Sequence, residues 1–448
     1  MLYFILKLIF KTGLWIFFRK FEVRNRTALQ AQGPLLVVSN HPNTFMDPLI
    51  IASLLRQQVY FIAKSTVFNS PFKKWLLHRM HLIPIHRKED APAQSVGNDD
   101  AFAASYNALE AGKTILIFPE GNSFNERRLR KLKTGTARIA LGAQAAASSD
   151  VRVRILPIGL NYSAPTNFRS NVFVNVGTPI DVTDYLTSYS QNTSATVHLL
   201  TEQMKVELEK LIIVTPTNEE DKLIRQIESI YKRTFAAEVP AAPTEHEQDF
   251  LLTRAITKSL AYFKQAAPER VEALKQQIEA YMLQLRQLNL HDAALSKNTK
   301  TVVWQSILAM LYLVAGLPVY LYGLLHNYLP YIIPSRVAYM LAREEEWHAP
   351  MMLSVGIFTF PIFYTILAIL CYQLYPSLPI LFLYLLSLPI TGFFTLHYWK
   401  ILRHAKSNWI MLRLFSKRKE LVEQLVHKRS SIIQQLEQAK QEILLKQQ

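Results

Sequence analysis

The chain has 448 residues and a single cysteine, Cys371, set in an apolar run. An intrachain disulfide is excluded, and the usage fits a reducing compartment. Acidic residues are scarce beside basic ones, 34 against 50, giving a formal net charge of +16. Such an excess points to an anionic partner: a phosphorylated substrate, an anionic lipid surface or nucleic acid. Several chemistries lack their sequence signatures. There is no Gly-x-Ser-x-Gly elbow, no Walker loop and no Gly-x-Gly-x-x-Gly. His78, His81, His326, His348, His397 and His404 have no metal-ligand spacing, so no metal is expected. No repeat of roughly 20–50 residues is present. No nucleic-acid-binding motif accompanies the charge, and nucleic acid is not expected as a partner.

The stretch from Met1 to Phe18 is apolar apart from Lys7, Lys11 and Thr12. It lacks both a charged leading segment and a small-residue cleavage site, so it does not read as a signal peptide. Lys7 and Lys11 stand one helical turn apart on one face. That pattern predicts a helix lying in, or shallowly entering, a membrane over residues 1–24.

Mean hydropathy is +0.08, high for a soluble protein and low for one made only of membrane spans. A soluble domain joined to a membrane part gives that value. Residues 25–190 read as the soluble domain. Apolar strands are expected at Leu35–Ser39, Val59–Ala63, Leu82–His86, Thr114–Phe118, Arg154–Leu160 and Val172–Val176, with helices such as Ala101–Glu110 and Thr134–Ala147 between them. The alternation predicts an α/β fold: a mixed, mostly parallel sheet flanked by helices. Residues 191–300 turn to Gln, Glu, Lys and Leu, with breaks at Pro216, residues 238–244 and Pro268, which reads as a helical accessory region.

Three apolar stretches follow, Val302–Leu325, Met351–Tyr375 and Leu378–Tyr398, each long enough to cross a bilayer about 30 Å thick. They predict transmembrane hairpins over 301–399. The tail carries Lys400, Arg403, Lys406, Arg413, Lys417, Arg418 and Lys419, the mark of a cytoplasmic segment. The domain at 25–190 is expected on the same side, on the inner membrane in a bacterium. That requires an even number of crossings, two or four, with 328–341 as a possible re-entrant return. Residues 400–448 predict a basic amphipathic helix, with Leu421, Leu425, Ile432, Leu436 and Ile443 on one stripe.

Two short segments carry chemistry: Asn40-His41-Pro42-Asn43-Thr44-Phe45-Met46-Asp47 and Phe118-Pro119-Glu120-Gly121-Asn122-Ser123, each just after an apolar run. Six residues along a helix would turn His41 and Asp47 to different faces, so they can meet only across a turn, which Pro42, Asn43 and Pro48 favour. There Asp47 can accept the Nδ1 proton of His41 and leave Nε2 as a base for a hydroxyl proton. Arg127, Arg128, Arg130, Lys131 and Lys133 form a basic run after the second segment, and Lys133-Thr134-Gly135 leads into Ala137-Arg138-Ile139-Ala140-Leu141. Ile83-Pro84-Ile85-His86-Arg87 and Leu156-Pro157-Ile158-Gly159-Leu160-Asn161-Tyr162 are two further blocks.

Together these segments resemble the glycerolipid acyltransferase superfamily over roughly residues 25–185. The commoner family pattern has four residues between the histidine and the aspartate. This chain has five, and in that it is similar to the fungal-type glycerol-3-phosphate/dihydroxyacetone-phosphate acyltransferases. Where relatives carry Gly-Ser-His after Glu-Gly, Asn122-Ser123-Phe124 stands here. The resemblance implies a membrane-bound O-acyltransferase in phospholipid biosynthesis. It would move a fatty acyl group from acyl-CoA or acyl carrier protein to glycerol 3-phosphate, with lysophosphatidate as the alternative acceptor and a non-catalytic lipid-binding scaffold as the further one. His41 and Asp47 are the expected catalytic residues. Asn40, Lys64, Arg87, Glu120, Gly121, Asn122, Ser123 and Lys133 are expected to bind substrate. Arg87 and Lys64 would hold phosphate, and Glu120 would accept from a glycerol hydroxyl or orient an arginine. No cofactor is expected beyond the acyl donor, and the phospholipid bilayer is the expected partner.

Overall fold

The computed structural model describes residues 2–31, 33–86, 98–148, 150–236, 244–295 and 299–447. They form two compact units, Met1–Val214 with Pro334–Ile357, and Thr215–Ile333 with Phe358–Gln448.

The first unit is built on one sheet of eight strands: β1 (Lys20–Arg24), β2 (Leu35–Ser39), β3 (Val59–Lys64), β4 (Leu82–Ile85), β5 (Thr114–Ile117), β6 (Arg154–Tyr162), β7 (Asn171–Val176) and β8 (Ile180–Asp181). The spatial order is β1-β7-β6-β2-β5-β3-β4, with β8 also paired to β6. Only the β6–β7 and β6–β8 pairs are antiparallel. The expected mixed, mostly parallel sheet is therefore present.

Strand β2 shows why this sheet is covered on both sides. Its five residues are all buried. Leu35 and Val37 join a core cluster with Leu14, Phe17, Met46, Ile50 and Leu156. Leu36 and Val38 point the other way, into a cluster with Leu109, Ile115, Ile139, Leu200 and Met204. Side chains alternate faces along a strand, so a continuous apolar run is what a doubly covered sheet demands. Helices α1 (Leu2–Phe17) and α2 (Met46–Leu54) supply the first face. Helices α4 (Asp99–Glu110), α5 (Gly135–Ala146) and α7 (Thr193–Leu211) supply the second; α3 (Pro71–Arg79) and α6 (Leu186–Gln191) lie between in the chain.

The edge strand β1 and the two-residue β8 have no counterpart among the sequence expectations. Lys-Phe-Glu-Val-Arg alternates charge with apolar residues just after α1, and it gains a strand partner only when Lys20–Arg24 pairs with Asn171–Asn175. Proline at position 157 is tolerated in a central strand for a local reason. It falls between the part of β6 paired to β8 (154–155) and the part paired to β7 (158–162), where that side of the ladder is broken.

The second unit holds a helical core shared by α8 (Asn218–Ala236), α9 (Glu245–Ala266), α10 (Pro268–Gln287), α11 (Asp292–Leu295) and the last helix, α15 (Lys419–Gln447). Val422, Leu425 and Ile432 of α15 are buried there, and Leu436 packs against them, so much of the apolar stripe read from the sequence is a packing face. The linker expected at 238–244 lies, except for Thr244, outside the described residues.

Three helices are long and apolar enough to cross a membrane: α12 (Thr299–Leu341), α13 (His348–Leu374) and α14 (Leu378–Lys417). The possible re-entrant return at 328–341 is not what the structure shows. That segment continues α12 as one 43-residue helix straight through Pro330 and Pro334. Prolines persist inside apolar helices because neighbouring groups re-satisfy the freed backbone. The number of such helices among the described residues is thus odd, where the charge argument asked for an even one.

Candidate active site

The site stands at the carboxyl ends of the central parallel strands, where open α/β sheets place their crevices. Strands β2 and β5 run in register from Leu35 opposite Thr114 to Val38 opposite Ile117. Continued past the strand ends, that register sets His41 opposite Glu120. The His41 amide donates to Glu120 Oε1 at 3.0 Å, and the Phe124 amide donates to the His41 carbonyl at 3.0 Å. The His41 ring stacks on Phe118, centroids 3.9 Å apart and planes within 13°.

The segment from His41 to Asp47 is a turn followed by the first turn of α2. His41 Nδ1 lies 2.8 Å from Asp47 Oδ2. Asp47 is fully buried. Oδ2 also accepts from the Asn43 amide at 2.8 Å, and Oδ1 accepts from the Tyr162 hydroxyl at 2.5 Å. Asp47 sits in the first turn of α2, where the helix dipole favours a negative charge. A carboxylate with three donors facing it is held in one orientation, and it fixes the imidazole tautomer with its proton on Nδ1. Nε2 has no hydrogen-bond partner among the described residues. The side chain keeps 17% of its surface exposed, enough for a small hydroxyl to approach.

Tyr162 is buried deeply enough, and close enough to Asp47, that its hydroxyl is pushed well above the ordinary tyrosine range. It remains a donor at any physiological pH. The sequence reading passed over this residue, because a tyrosine at a strand end is unremarkable until the topology places β6 beside β2. The available signal was its place closing the Leu156–Tyr162 block.

Two of the residues expected to bind substrate are engaged with backbone. Asn40 is buried, and its amide is spent on backbone: Oδ1 accepts from the Leu160 amide at 2.8 Å and Nδ2 donates to the Leu160 carbonyl at 3.0 Å. It extends the β2–β6 ladder by one side-chain step. Glu120 is likewise engaged on both oxygens, Oε1 by the His41 amide and Oε2 by the Arg130 amide at 3.0 Å. It clamps the two loops together. Burial pushes its carboxyl above the usual range, and the two amides oppose that rise.

Gly121 has φ +82°, and a Cβ there would meet Lys133 Cε and Nζ at 2.8 Å. The left-handed backbone of the turn favours a glycine, and the lysine stem is laid across it. Asn122 is exposed and Ser123 half-buried on the same turn. Phe124, which stands where relatives carry histidine, carries the Arg130 guanidinium 3.2 Å over its ring centroid. Lys64 is exposed at the end of β3, and no described hydrogen bond or ion pair joins it to the His41 loop. Beside it, Ser65 Oγ and His86 Nδ1 lie 3.0 Å apart and link the ends of β3 and β4. Arg87 lies outside the described residues.

Comparison with known proteins follows the same segments. The family model described as Acyltransferase matches residues 20–161. Glycerol-3-phosphate O-acyltransferase 1 of Saccharomyces cerevisiae is 28% identical over 203 residues, 45% of this chain and 26% of that protein. Glycerol-3-phosphate O-acyltransferase 2 of the same yeast is 36% identical over 90 residues, 20% of this chain and 12% of that one. A 1-acyl-sn-glycerol-3-phosphate acyltransferase of Salmonella typhimurium is 27% identical over 201 residues, 44% of this chain and 76% of that one. The chain thus spans about a quarter or less of the two yeast proteins' length.

Proposed function

We infer that this chain, which carries an acyltransferase domain over residues 20–161, is a membrane-bound glycerolipid O-acyltransferase. The acceptor we favour is glycerol 3-phosphate and the donor a fatty acyl thioester of coenzyme A or acyl carrier protein. The observation that carries this reading is the pairing of His41 Nδ1 with Asp47 at 2.8 Å, with Nε2 left open at the mouth of the sheet. Nε2 takes the proton of the acceptor hydroxyl as its oxygen attacks the thioester carbonyl. The tetrahedral intermediate collapses and the thiolate leaves with the proton returned from the imidazolium. Asp47 stabilises that imidazolium without itself taking the proton. Among the described residues no serine or cysteine hydrogen-bonds the His41 ring, and the transfer we propose is direct.

The charge balance and the exposed cations at the strand ends suit a phosphorylated acceptor. Lys133 across the Gly121 turn and Lys64 at the end of β3 are the described cations we assign to phosphate, with Arg87. The preference for glycerol 3-phosphate rests on the five-residue spacing from His41 to Asp47 and on the printed names of the two yeast relatives. Lysophosphatidate is the second reading, favoured by the Salmonella relative's name. A non-catalytic scaffold has no use for a fully buried carboxylate that two further donors aim at a partly exposed imidazole. The three long apolar helices support membrane attachment, with the catalytic unit proposed on the cytoplasmic face.

The acceptor is tested by giving the purified protein a labelled acyl thioester with glycerol 3-phosphate and lysophosphatidate together. Monoacylated glycerol phosphate as the main product supports the first reading. Phosphatidate formed only from added lysophosphatidate replaces it with the second.

A further inference from the structure

The His41–Asp47 loop is held from outside its own domain segment. Between its two functional residues lies Thr44, a β-branched residue with φ +35° that is 5% exposed. Left-handed backbone at such a residue is strained and persists only where the surroundings over-determine it. Part of that determination comes from some 300 residues later in the chain. The Thr44 hydroxyl donates to the Glu346 carbonyl at 3.1 Å. Phe45 meets Trp347 edge to face, ring centroids 5.8 Å apart. Asn125, on the loop that clamps His41 from the other side, donates to Glu345 Oε2 at 3.3 Å.

Glu345–Trp347 is the short turn joining α12 to α13, two of the three helices apolar enough to span a membrane. The turn is anchored in the same compact unit as the site. Ala338 before it and Ala349, Met352 and Leu353 after it are buried in the core cluster that contains Leu35, Val37, Met46 and Ile50. The turn therefore touches both loops that define the imidazole's position, and its backbone is fixed by the core beneath.

We propose that the Glu345–Trp347 turn is a positioning element of the active site, acting through Thr44 and Phe45 to hold the His41–Asp47 hydrogen bond in register. This deepens the reading of His41 as the base and rests on it. Thr44 and Trp347 are positioning residues; neither is assigned contact with substrate. The consequence is that the His41–Asp47 loop is tied to the turn between two apolar helices, within the unit that carries the sheet.

The test uses the full chain in detergent and the substitutions Thr44→Val, Thr44→Ser, Trp347→Ala and Trp347→Phe. Two quantities are read on protein that stays monodisperse: the kcat and KM of acyl transfer, and the downfield imidazole Nδ1–H resonance in a histidine-labelled sample, assigned by its loss in His41→Gln. Thr44→Val removes the donor and Trp347→Ala the edge contact. Each should lower kcat about tenfold, as for loss of one fixing interaction, leave KM for the acyl thioester within about twofold, and broaden or abolish the resonance. Thr44→Ser and Trp347→Phe should restore both. An unshifted resonance in Thr44→Val and Trp347→Ala overturns the proposal whatever the activity. A wild type that transfers no acyl group refutes the enzyme reading instead, and the resonance still decides the role of the turn.

Discussion

At the scale of single residues, the site depends on one carboxylate with three donors. Asp47 takes the imidazole, the Asn43 amide and the Tyr162 hydroxyl. Removing the Tyr162 hydroxyl leaves a fully buried carboxylate short of one hydrogen bond, a loss of about 1.5–3 kcal/mol for a charged acceptor. Tyr162→Phe should therefore lower kcat by roughly tenfold to a hundredfold with little change in acceptor KM, measured by steady-state acyl transfer. The sign of the pH effect follows from the raised hydroxyl. Its folded value lies above the unfolded 10.0, so the neutral form is the one the fold stabilises, and that contribution is lost only as pH rises through the folded value. Wild type and Tyr162→Phe should accordingly keep a constant activity ratio across the neutral range. Asn40 and Glu120 teach a different lesson. Their types suit a ligand, and nothing in a linear reading says that backbone amides will claim them first.

At the scale of elements, legibility follows how local the cause is. The strands β2, β3, β5 and β6 could be read within a residue or two because each is a largely apolar run, a pattern that burial on both faces sets in β2, β5 and β6. Strand β1 could not, since its pairing with β7 is the reason it is a strand. The turn chemistry around His41 was legible from Pro42, Asn43 and Pro48; its support from Glu346 and Trp347 was not, because contacts that distant leave no local mark. Helix α1 shows the same division. Its apolar face was plain, yet the side chain of Lys7 turns inward to donate to the Leu55 carbonyl, while Phe4, Leu8 and Trp15 are exposed. A Cβ on Gly13 of α1 would stand 3.0 Å from Leu353 Cδ1 of α13. Gly13→Leu should force the two apart at a cost of about 1–3 kcal/mol, seen as a lower melting temperature and faster proteolysis near residues 1–24.

At the scale of the whole molecule, the sheet-based unit includes residues Pro334–Ile357 from the long apolar helices, so the sequence boundary between α/β domain and apolar region is not a boundary in the fold. The second unit interlocks its apolar helices through polar groups: Asn327 donates to the Gly323 and Leu388 carbonyls at 3.0 and 3.1 Å and accepts from Tyr364 at 2.7 Å. Such bonds between helices in an apolar setting fix their register. A charge of +16 on a chain with this much apolar helix predicts a preference for anionic bilayers. In reconstituted vesicles, acyl transfer should rise with the fraction of anionic lipid, and that gain should shrink when salt goes from about 0.01 to about 1 M, because screening shortens the reach of surface charge from roughly 30 to 3 Å. The most direct test of the central claim is the turnover of His41→Ala with a labelled acyl thioester and glycerol 3-phosphate, on protein whose circular dichroism matches wild type. Loss of the general base predicts a fall of about 10²–10⁴ in kcat. Turnover equal to wild type would contradict it.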